Sequence, residues 1–323
     1  MPTTEHIVFI HGFADISKLW HRSRSFFETH GFIIHFYDYR TMENYLDIPM
    51  IVNGLIKFIN ENIGQSHYQI FAHSQGGLVA EWLDFFKSDQ RLKRIITIGT
   101  PFQGNTLPLI APKSILRHLP VGRKQIADLA CMSSILSAII RERIENRLDL
   151  TPYISLITHS STIPKIQSDG IVSVCSGNRN AEYYVFKEDK IQYLPPTKPT
   201  VLTYVKSNHL PLTMVRLLQP AGRPNSFSAL LLSAFNGEPI IPYDAFKPSQ
   251  CVFVFPAKLK EVIQVVHDLQ KINFRSAQNG NFLIVYYNVK GSEPFIKIGD
   301  QFLQLQPGKF TYLLDSSFLN TGT

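Results

Sequence analysis

Short apolar runs alternate with helical patterns along the first 219 residues, and this alternation constrains the fold more than any other feature. The apolar runs are rich in β-branched and aromatic residues, and the segments between them carry apolar residues at helical spacing. Strands are predicted at Ile7–Ile10, Phe32–Tyr37, Tyr68–Ala72 and Arg94–Ile98, and helices at Lys18–Thr29, Pro49–Asn62 and Gln75–Lys87. Because strands that alternate with helices form parallel sheets, the sequence predicts an α/β fold with helices on both faces.

The alternation is interrupted after Gly104 by a segment of helical character that runs from about 105 to 150. A helical insertion of this length is expected to be a lid or cap over a site, or else an ordinary helical elaboration. The alternation then resumes, with strands predicted at Tyr153–Thr158, Ile171–Val174 and Val201–Val205 and a helix at Pro211–Leu218.

Residues 220–226 have the composition of a linker, with two prolines and a glycine among seven residues. We therefore predict one domain over 1–219 and a smaller β-rich domain over 227–323. In the second domain, strands are predicted at Cys251–Phe255, Phe282–Val289, Pro294–Ile298 and Lys309–Leu314, and a helix at Lys258–Lys271. No catalytic constellation is evident in it, and its role is unknown.

The composition excludes several classes of protein. With 323 residues, of which 44% are hydrophobic and 18% charged, the chain can bury a sizeable core and does not resemble disordered, collagen-like or coiled-coil sequences. No apolar run approaches the roughly 20 residues that span a bilayer. Three cysteines are too few for a disulfide scaffold, although one bridge remains possible.

The net charge of +7 names no partner by itself. A basic surface favours anionic membranes or nucleic acid, but the chain carries no recognition motif, zinc spacing or basic stripe typical of nucleic-acid binding. No cluster with metal-ligand spacing and no glycine-rich phosphate loop is evident, so neither a metal nor a cofactor is expected. The first residues lack a secretory signal, so a cytoplasmic location is expected, with export by a route that needs no such signal left open.

Ala72-His73-Ser74-Gln75-Gly76-Gly77 lies between a predicted strand and a predicted helix. A nucleophile elbow needs small residues two positions before and after its serine, and Ala72 and Gly76 occupy those positions. Such a turn presents the serine hydroxyl above the sheet, so Ser74 is the predicted nucleophile. An oxyanion hole is predicted from the backbone N–H groups of Phe13, which follows the first strand after His11-Gly12, and of Gln75.

A serine nucleophile also needs a histidine base and an acid. In chains with this order of strands and helices, the acid follows the serine and the histidine follows the acid. Seven of the eleven histidines precede Ser74, and His118, His159, His209 and His267 follow it. His209 comes after a predicted strand and before a predicted helix, and is the predicted base. Asp169, at a turn next to a strand, is the predicted acid; Asp149 and Glu145 are its rivals, and His159 is the rival base.

Four motifs occur in the order seen in bacterial triacylglycerol lipases. They are Ala72–Gly77, Thr97–Gly104, Asp169–Ser176 and Asn208–Leu210. The chain thus resembles, over roughly residues 5–219, the Pseudomonas/Burkholderia-type lipases of the α/β-hydrolase superfamily. The resemblance implies an α/β-hydrolase fold, the triad Ser74, Asp169 and His209, oxyanion donors Phe13 and Gln75, and a lid at about 105–150.

The chain departs from that family in two places. Those lipases place an aspartate that binds calcium shortly after the catalytic histidine, where this chain has Pro211, so no calcium site is implied there. They also carry a disulfide, for which Cys175 and Cys131 are the matching candidates. A cytoplasmic chain would keep both reduced.

The function expected is that of a serine hydrolase acting on carboxylic esters, a lipase or esterase with phospholipids among its candidate substrates. The apolar stretch Ile126–Ile140 would suit an acyl pocket or plain helix packing. An acyltransferase or thioesterase that uses the same triad is the alternative. Lipid or acyl-ester substrates are the expected partners, with membrane-surface association and a lipid- or protein-binding role of residues 227–323 left open.

Overall fold

The computed structural model describes residues 5–41, 43–105, 122–145, 151–163, 166–195, 199–210, 227–271, 277–279, 281–292 and 294–320. The strands are β1 Glu5–Ile10, β2 Phe32–Tyr37, β3 Tyr68–His73, β4 Leu92–Ile98, β5 Tyr153–His159, β6 Ser161–Ile163, β7 Ile166–Ser168, β8 Glu182–Lys187, β9 Lys190–Leu194, β10 Val201–Lys206, β11 Gln250–Pro256, β12 Ile263–His267, β13 Leu269–Lys271, β14 Ala277–Asn279, β15 Phe282–Val289, β16 Phe295–Ile298, β17 Gln301–Gln304 and β18 Phe310–Asp315. The α-helices are α1 Arg24–Thr29, α2 Ile48–Asn62, α3 Gln75–Lys87, α4 Arg123–Asp128, α5 Ser134–Glu145, α6 Val174–Gly177, α7 Phe227–Asn236 and α8 Ser316–Asn320, and 3-10 helices run over Ser17–Ser23 and Ala257–Val262. No helix within these ranges is long and apolar enough to cross a membrane.

Six strands form the main sheet in the order β10-β5-β4-β3-β1-β2, and every neighbouring pair is parallel. This confirms the α/β fold predicted from the alternation of strands and helices. Because consecutive parallel strands end at the same edge, the loops that follow β1, β3, β5 and β10 meet at one side of the sheet. That edge holds the predicted site.

The two faces of the main sheet are covered by different helices. Along β1, Val8 and Ile10 face the core formed with α2, α3 and α5, whereas Ile7 and Phe9 face the core formed with α1 and α7. All four side chains are fully buried. The period of two along a strand thus produces two separate cores from one apolar run.

A second, mixed sheet runs in the order β13-β15-β11-β18-β8-β9, with β14 paired to β15. One of its faces packs on the insertion and α6, through Cys131 and Cys175 among others. Its other face packs on a small sheet of β12, β16 and β17. The β-rich character predicted for the C-terminal part is therefore present.

The packing crosses the predicted boundary between residues 1–219 and 227–323 in both directions. Strands β8 and β9 come from the first segment, yet β8 pairs with β18 from the second. Helix α7 comes from the second segment, yet its Leu231 and Phe235 lie in the core of the main sheet. The division into two domains stays a prediction, and the linker 220–226 lies outside the described residues.

Part of the predicted cap is described, and it is packed into the interior. Leu136 and Ile139 of α5 are fully buried in the core beneath the main sheet, and Ile140 and Ile144 are buried against the second sheet. These contacts favour helix packing over an acyl pocket for this part of the apolar stretch. Residues 106–121 and 146–150 lie outside the described residues, and a lid role stays a prediction.

Two predicted elements are wrong. Ile171–Val174 is not a strand, because the Asp169 carboxylate accepts the N–H groups of Ile171 and Val172 and closes a turn. Lys258–Lys271 is not a helix: after the 3-10 helix the chain forms β12 and β13. The β-branched residues of β12 explain the second difference, since they favour an extended chain that can pair with β16.

The predicted helix Lys18–Thr29 is divided into the 3-10 helix and α1. The helix predicted at Pro211–Leu218 lies outside the described residues.

Candidate active site

Ser74 lies in the turn between β3 and α3, where a nucleophile elbow was predicted. Its backbone has φ +53° and ψ −124°, a sparsely populated positive-φ conformation that costs on the order of 1–3 kcal/mol for a residue with a side chain. Its N–H donates to the Ile98 carbonyl oxygen at 3.0 Å, which ties the turn to β4. The serine is buried, with 8% of its surface exposed.

The glycine two residues after Ser74 is required by the closeness of β1 and of the loop that follows it. A Cβ atom on Gly76 would lie 2.5 Å from the Ile10 carbonyl oxygen and 2.7 Å from that of His11. Both obstacles are backbone atoms of the sheet, which cannot move aside. A side chain at this position would therefore separate α3 from β1, the clash that the elbow motif avoids.

His209 lies on the loop after β10 and contacts Ser74. Its Nε2 atom is 2.8 Å from Ser74 Oγ, and its Nδ1 atom is 2.8 Å from Asp169 Oδ2. Its backbone N–H also donates to the Asp169 carbonyl oxygen at 3.0 Å. The structure thus brings together the three side chains predicted as a triad, although they lie on separate loops. Ser74 and His209 are 135 residues apart in the sequence.

Asp169 is almost fully buried, at 1% exposure, and both carboxylate oxygens accept hydrogen bonds. Oδ1 accepts from the N–H groups of Ile171 and Val172, and Oδ2 accepts from Thr158 Oγ1 at 2.5 Å besides facing His209. Burial raises the pKa of Asp169, but the bond to His209, its charge and the bond from Thr158 outweigh it, so the pKa lies below its ordinary value. The carboxylate is therefore ionised at neutral pH.

Thr158 and Gly99 support this acid and were not singled out in the sequence. Gly99 has φ +61°, and a Cβ atom there would lie 3.2 to 3.4 Å from Thr158 Oγ1, His209 Nδ1 and Asp169 Oδ2. Thr158 is at the end of β5 and Gly99 follows β4. Their positions at the ends of strands indicate that they lie near the site. Only the tertiary structure shows that they contact Asp169 and His209.

Phe13 and Gln75, predicted as oxyanion donors, lie on the two segments that flank the serine. Phe13 follows β1 and is half-buried, and Gln75 begins α3 and is fully buried. Between them Gly12 approaches the nucleophile so closely that a Cβ atom there would lie 2.7 Å from Ser74 Cβ and 3.3 Å from Ser74 Oγ. Their role as donors stays a prediction.

Tyr39 holds the segment that leads into Phe13. Its hydroxyl donates to the His11 carbonyl oxygen at 2.8 Å, and its ring stacks on the His11 imidazole at 4.3 Å between centroids. Gln75 Oε1 lies 3.3 Å from the same hydroxyl. Burial raises the pKa of Tyr39 well above its ordinary value, so the phenol remains protonated and able to donate.

The rival residues lie elsewhere or outside the described part of the chain. His159 Nε2 is 2.8 Å from Asp244 Oδ2, and its ring stacks on Phe246, so it is paired away from Ser74. Glu145 ends α5 and is exposed. His118 and Asp149 fall on residues that are not described, as does the side chain of His267.

Two further expectations concern cysteines and metals. Cys131, Cys175 and Cys251 are all buried, and Cys131 and Cys175 form no disulfide here. Within the described ranges no three His, Cys, Asp or Glu residues are grouped to hold a metal ion. Pro211, where the resembling lipases bind calcium, lies outside those ranges.

No family model and no curated protein sequence matches the chain. Its fold, in contrast, is similar to those of solved structures. Phospholipase PlaB from Legionella pneumophila superposes with a TM-score of 0.65 at 11% identity, over 97% of this chain and 93% of that one. The same phospholipase in complex with thio-NAD gives a TM-score of 0.64 at 12% identity over the same shares. The propeptide form of lipase BlEst2 from Bacillus licheniformis gives 0.53 at 12% identity, over 94% of this chain and 73% of that one.

The chain has an α/β-hydrolase fold. At 11% identity the likeness establishes the fold alone, and it extends over the C-terminal β-rich part as well as the main sheet. The membership of the Pseudomonas/Burkholderia-type lipases stays a prediction. Within the hydrolase fold, Ser74, His209 and Asp169 lie at the carboxyl edge of the parallel sheet, where ligands bind in open α/β folds.

Proposed function

We propose that this chain is a serine hydrolase that cleaves carboxylic esters of lipids, as a lipase, esterase or phospholipase. The observation that carries the proposal is the continuous contact from Ser74 Oγ to His209 Nε2 and from His209 Nδ1 to Asp169 Oδ2, each at 2.8 Å. A buried, ionised aspartate at the end of this series orients the imidazole and stabilises its protonated form.

In the proposed reaction, Ser74 Oγ attacks the ester carbonyl carbon while His209 Nε2 takes its proton. The carbonyl oxygen becomes an oxyanion, which the N–H groups of Phe13 and Gln75 stabilise. The tetrahedral intermediate collapses, His209 returns the proton to the departing alcohol, and an acyl ester on Ser74 remains. Water, activated by His209, then attacks this ester and releases the fatty acid.

Exposed aliphatic side chains next to the site support a lipid substrate. Leu210 directly follows His209 and is 58% exposed, and Ile171, whose N–H binds Asp169, is 42% exposed. Contiguous exposed apolar patches mark membrane and ligand sites, and we propose that these two side chains belong to one. PlaB is named a phospholipase, which makes phospholipids the first class of natural substrate to test.

The first experiment is hydrolysis of p-nitrophenyl esters from short to long acyl chains by the intact chain. Ser74→Ala is expected to abolish turnover and leave the thermal unfolding unchanged. His159→Asn is the matched control, because it breaks a His–Asp pair outside the site and is expected to retain turnover. Turnover that survives in Ser74→Ala would overturn the proposal.

The substrate class is tested separately with Leu210→Ser and Ile171→Ser. Both are expected to lose turnover of long-chain esters and phospholipid vesicles while keeping that of short, water-soluble esters. Phe302→Ser, which changes a 60% exposed side chain on β17, serves as control. Product analysis with added alcohols or thiols distinguishes hydrolysis from the acyltransferase and thioesterase alternatives, which would show transfer outrunning hydrolysis.

A further inference from the structure

A second histidine–aspartate pair is buried directly behind the proposed nucleophile. His73, the residue before Ser74, is 2% exposed, and its Nδ1 atom lies 3.4 Å from Asp15 Oδ2. Within the described ranges no well-aligned hydrogen bond reaches either ring nitrogen of His73, and the Asp15 carboxylate is the charged group that faces Nδ1. Buried polar groups without partners are rare and call for a specific explanation.

Asp15 is held rigidly by other contacts. Its Oδ1 atom accepts the Ile16 N–H at 2.7 Å, and its Oδ2 atom accepts the indole N–H of the fully buried Trp20 at 2.9 Å. Burial raises the pKa of Asp15, but His73 and Trp20 outweigh it and the pKa lies below its ordinary value. The carboxylate is thus ionised and fixed in place, although it is only 5% exposed.

The backbone between Phe13 and Asp15 is strained. Ala14 has φ +54°, a left-handed conformation that a residue with a Cβ adopts only where its surroundings impose it. The contacts of the next residue, Asp15, supply that constraint. Ala14 is the one residue between Asp15 and Phe13, so the contacts of Asp15 restrain this part of the chain.

The pair also contacts the elbow and the proposed base. A Cβ atom on Gly12 would lie 3.1 Å from His73 Nδ1, so His73 packs directly under the segment that carries Phe13. The His73 ring lies 5.1 Å from the His209 ring and 5.3 Å from Trp20. Burial lowers the pKa of His73, so the ring stays neutral and adds no positive charge beside His209.

We propose that Asp15 and His73 are positioning residues that lock the strained Phe13–Asp15 loop onto the Ser74 elbow and so align the Phe13 N–H with the oxyanion. The inference rests on the proposed function and deepens it. An oxyanion donor acts only if it is placed before charge develops, and the loss of one donor costs about 100- to 1,000-fold in kcat. A misaligned donor is expected to lose part of this.

Asp15→Asn is the variant that tests the proposal, because it keeps the shape of the side chain. An amide has one oxygen and one NH2 group, so it can satisfy Ile16 or Trp20 but not both, and the loop is released. We expect kcat on a short p-nitrophenyl ester to fall about 10- to 100-fold, with KM within about 2-fold of the unmodified value. The affinity for a boronic acid, whose adduct on Ser74 places an oxygen in the oxyanion hole, should fall by a similar factor.

His73→Phe is the second variant, and it keeps the ring volume while removing the partner of Asp15. It is likewise expected to lower kcat and leave KM nearly unchanged. If Asp15→Asn does not fold, His73→Phe tests the proposal instead. Asp244→Asn is the matched control, since it removes the charge of the His159–Asp244 pair, which lies outside the site, and is expected to leave kcat and boronic-acid affinity unchanged. Thermal unfolding of each variant separates loss of fold from loss of alignment.

The two proposals fail in different ways. If the unmodified chain turns over no ester, the proposed function is wrong. If it turns over esters and Asp15→Asn and His73→Phe keep the kcat and boronic-acid affinity of Asp244→Asn, the positioning role is overturned. A lower unfolding temperature with unchanged kcat would likewise reduce the pair to a structural role.

Discussion

At the scale of single residues, the elbow requires glycine at position 76, because there is no room for a Cβ atom there. Gly76→Ala would place a methyl group 2.5 Å from the Ile10 carbonyl oxygen. We expect the free energy of unfolding to fall by about 1–3 kcal/mol, as for other overpacked interiors, and ester turnover to fall with it. Urea unfolding and p-nitrophenyl ester hydrolysis measure the two effects.

Gly64→Ala is the control for this change. Gly64 has φ +64° and nothing within 4 Å of an added Cβ, so only backbone strain is introduced. A loss of about 1 kcal/mol with full turnover is expected. Equal turnover in Gly76→Ala and Gly64→Ala would contradict the steric account of the elbow.

The acid of the proposed triad also contributes to the pH dependence of stability. The pKa of Asp169 is lowered in the folded protein, so its carboxylate stabilises the fold fully above about pH 4, the ordinary value for aspartate, and ceases to do so as the pH falls through the lower folded value. Asp169→Asn lacks this contribution. We expect the difference in unfolding free energy between the two proteins to shrink from pH 7 to pH 3, measured by urea unfolding.

The same variant tests the tautomer of the proposed base. The amide NH2 would face His209 Nδ1 and Thr158, which favours a proton on His209 Nε2 and leaves no acceptor for the Ser74 proton. Ester turnover is expected to fall by orders of magnitude while KM changes little. If Asp169→Asn turns over esters at the unmodified rate, Asp169 is not the acid.

At the scale of elements, the helix that follows the nucleophile is tied to the insertion by a buried ion network. Glu81 of α3, fully buried, accepts two bonds from Arg143 of α5 at 2.9 and 2.7 Å and one from Arg179 at 2.7 Å. Burial raises the pKa of Glu81, but the two guanidinium groups outweigh it and hold the pKa below its ordinary value. The described part of the insertion is thereby fixed to α3.

Glu81→Gln is expected to lower the free energy of unfolding by about 3–5 kcal/mol, because it leaves two buried guanidinium groups without their anion. Glu28→Gln is the matched control. It breaks the Arg24–Glu28 pair on α1, whose side chains are 46% and 51% exposed, and is expected to cost about 0.5 kcal/mol or less. Similar losses in the two variants by urea unfolding would show that the network contributes little.

At the scale of the whole molecule, segments before and after the predicted linker pack against each other in both sheets. Phe235 of α7 packs against Phe27, Phe32 and Phe71 with ring centroids 5.4 to 6.0 Å apart. A chain that ends at residue 226 would leave this face of the main sheet and the β8 edge uncovered. We expect such a chain to aggregate, or to lack the circular dichroism of a folded α/β protein.

Phe235→Ala in the full chain tests the same contact more gently. The loss expected is about 3–5 kcal/mol, as for other buried phenylalanines. Phe302→Ala, at a 60% exposed position, should change stability by less than about 0.5 kcal/mol. A chain of residues 1–226 that folds and turns over esters would instead support the predicted division into two domains.

Sequence alone sufficed for features whose cause is local. The strands β1 to β5, the helices α2 and α3 and the α/β-hydrolase fold follow from patterns that repeat within a few residues. The choice of Ser74, Asp169 and His209 followed from the elbow motif and from the order of the remaining acids and histidines. The structure brings the three together, and their catalytic role stays a prediction.

Only the tertiary structure decided what depends on contacts between distant segments. The hairpin β8–β9 has an ordinary strand sequence, and nothing local indicates that it joins a sheet with β18 about 130 residues later. The turn at Asp169 replaced a predicted strand because one buried carboxylate captured two N–H groups. Asp15 and His73 were unremarkable in the sequence, since an isolated carboxylate and the variable residue of an elbow acquire a role only when folding buries them together behind Ser74.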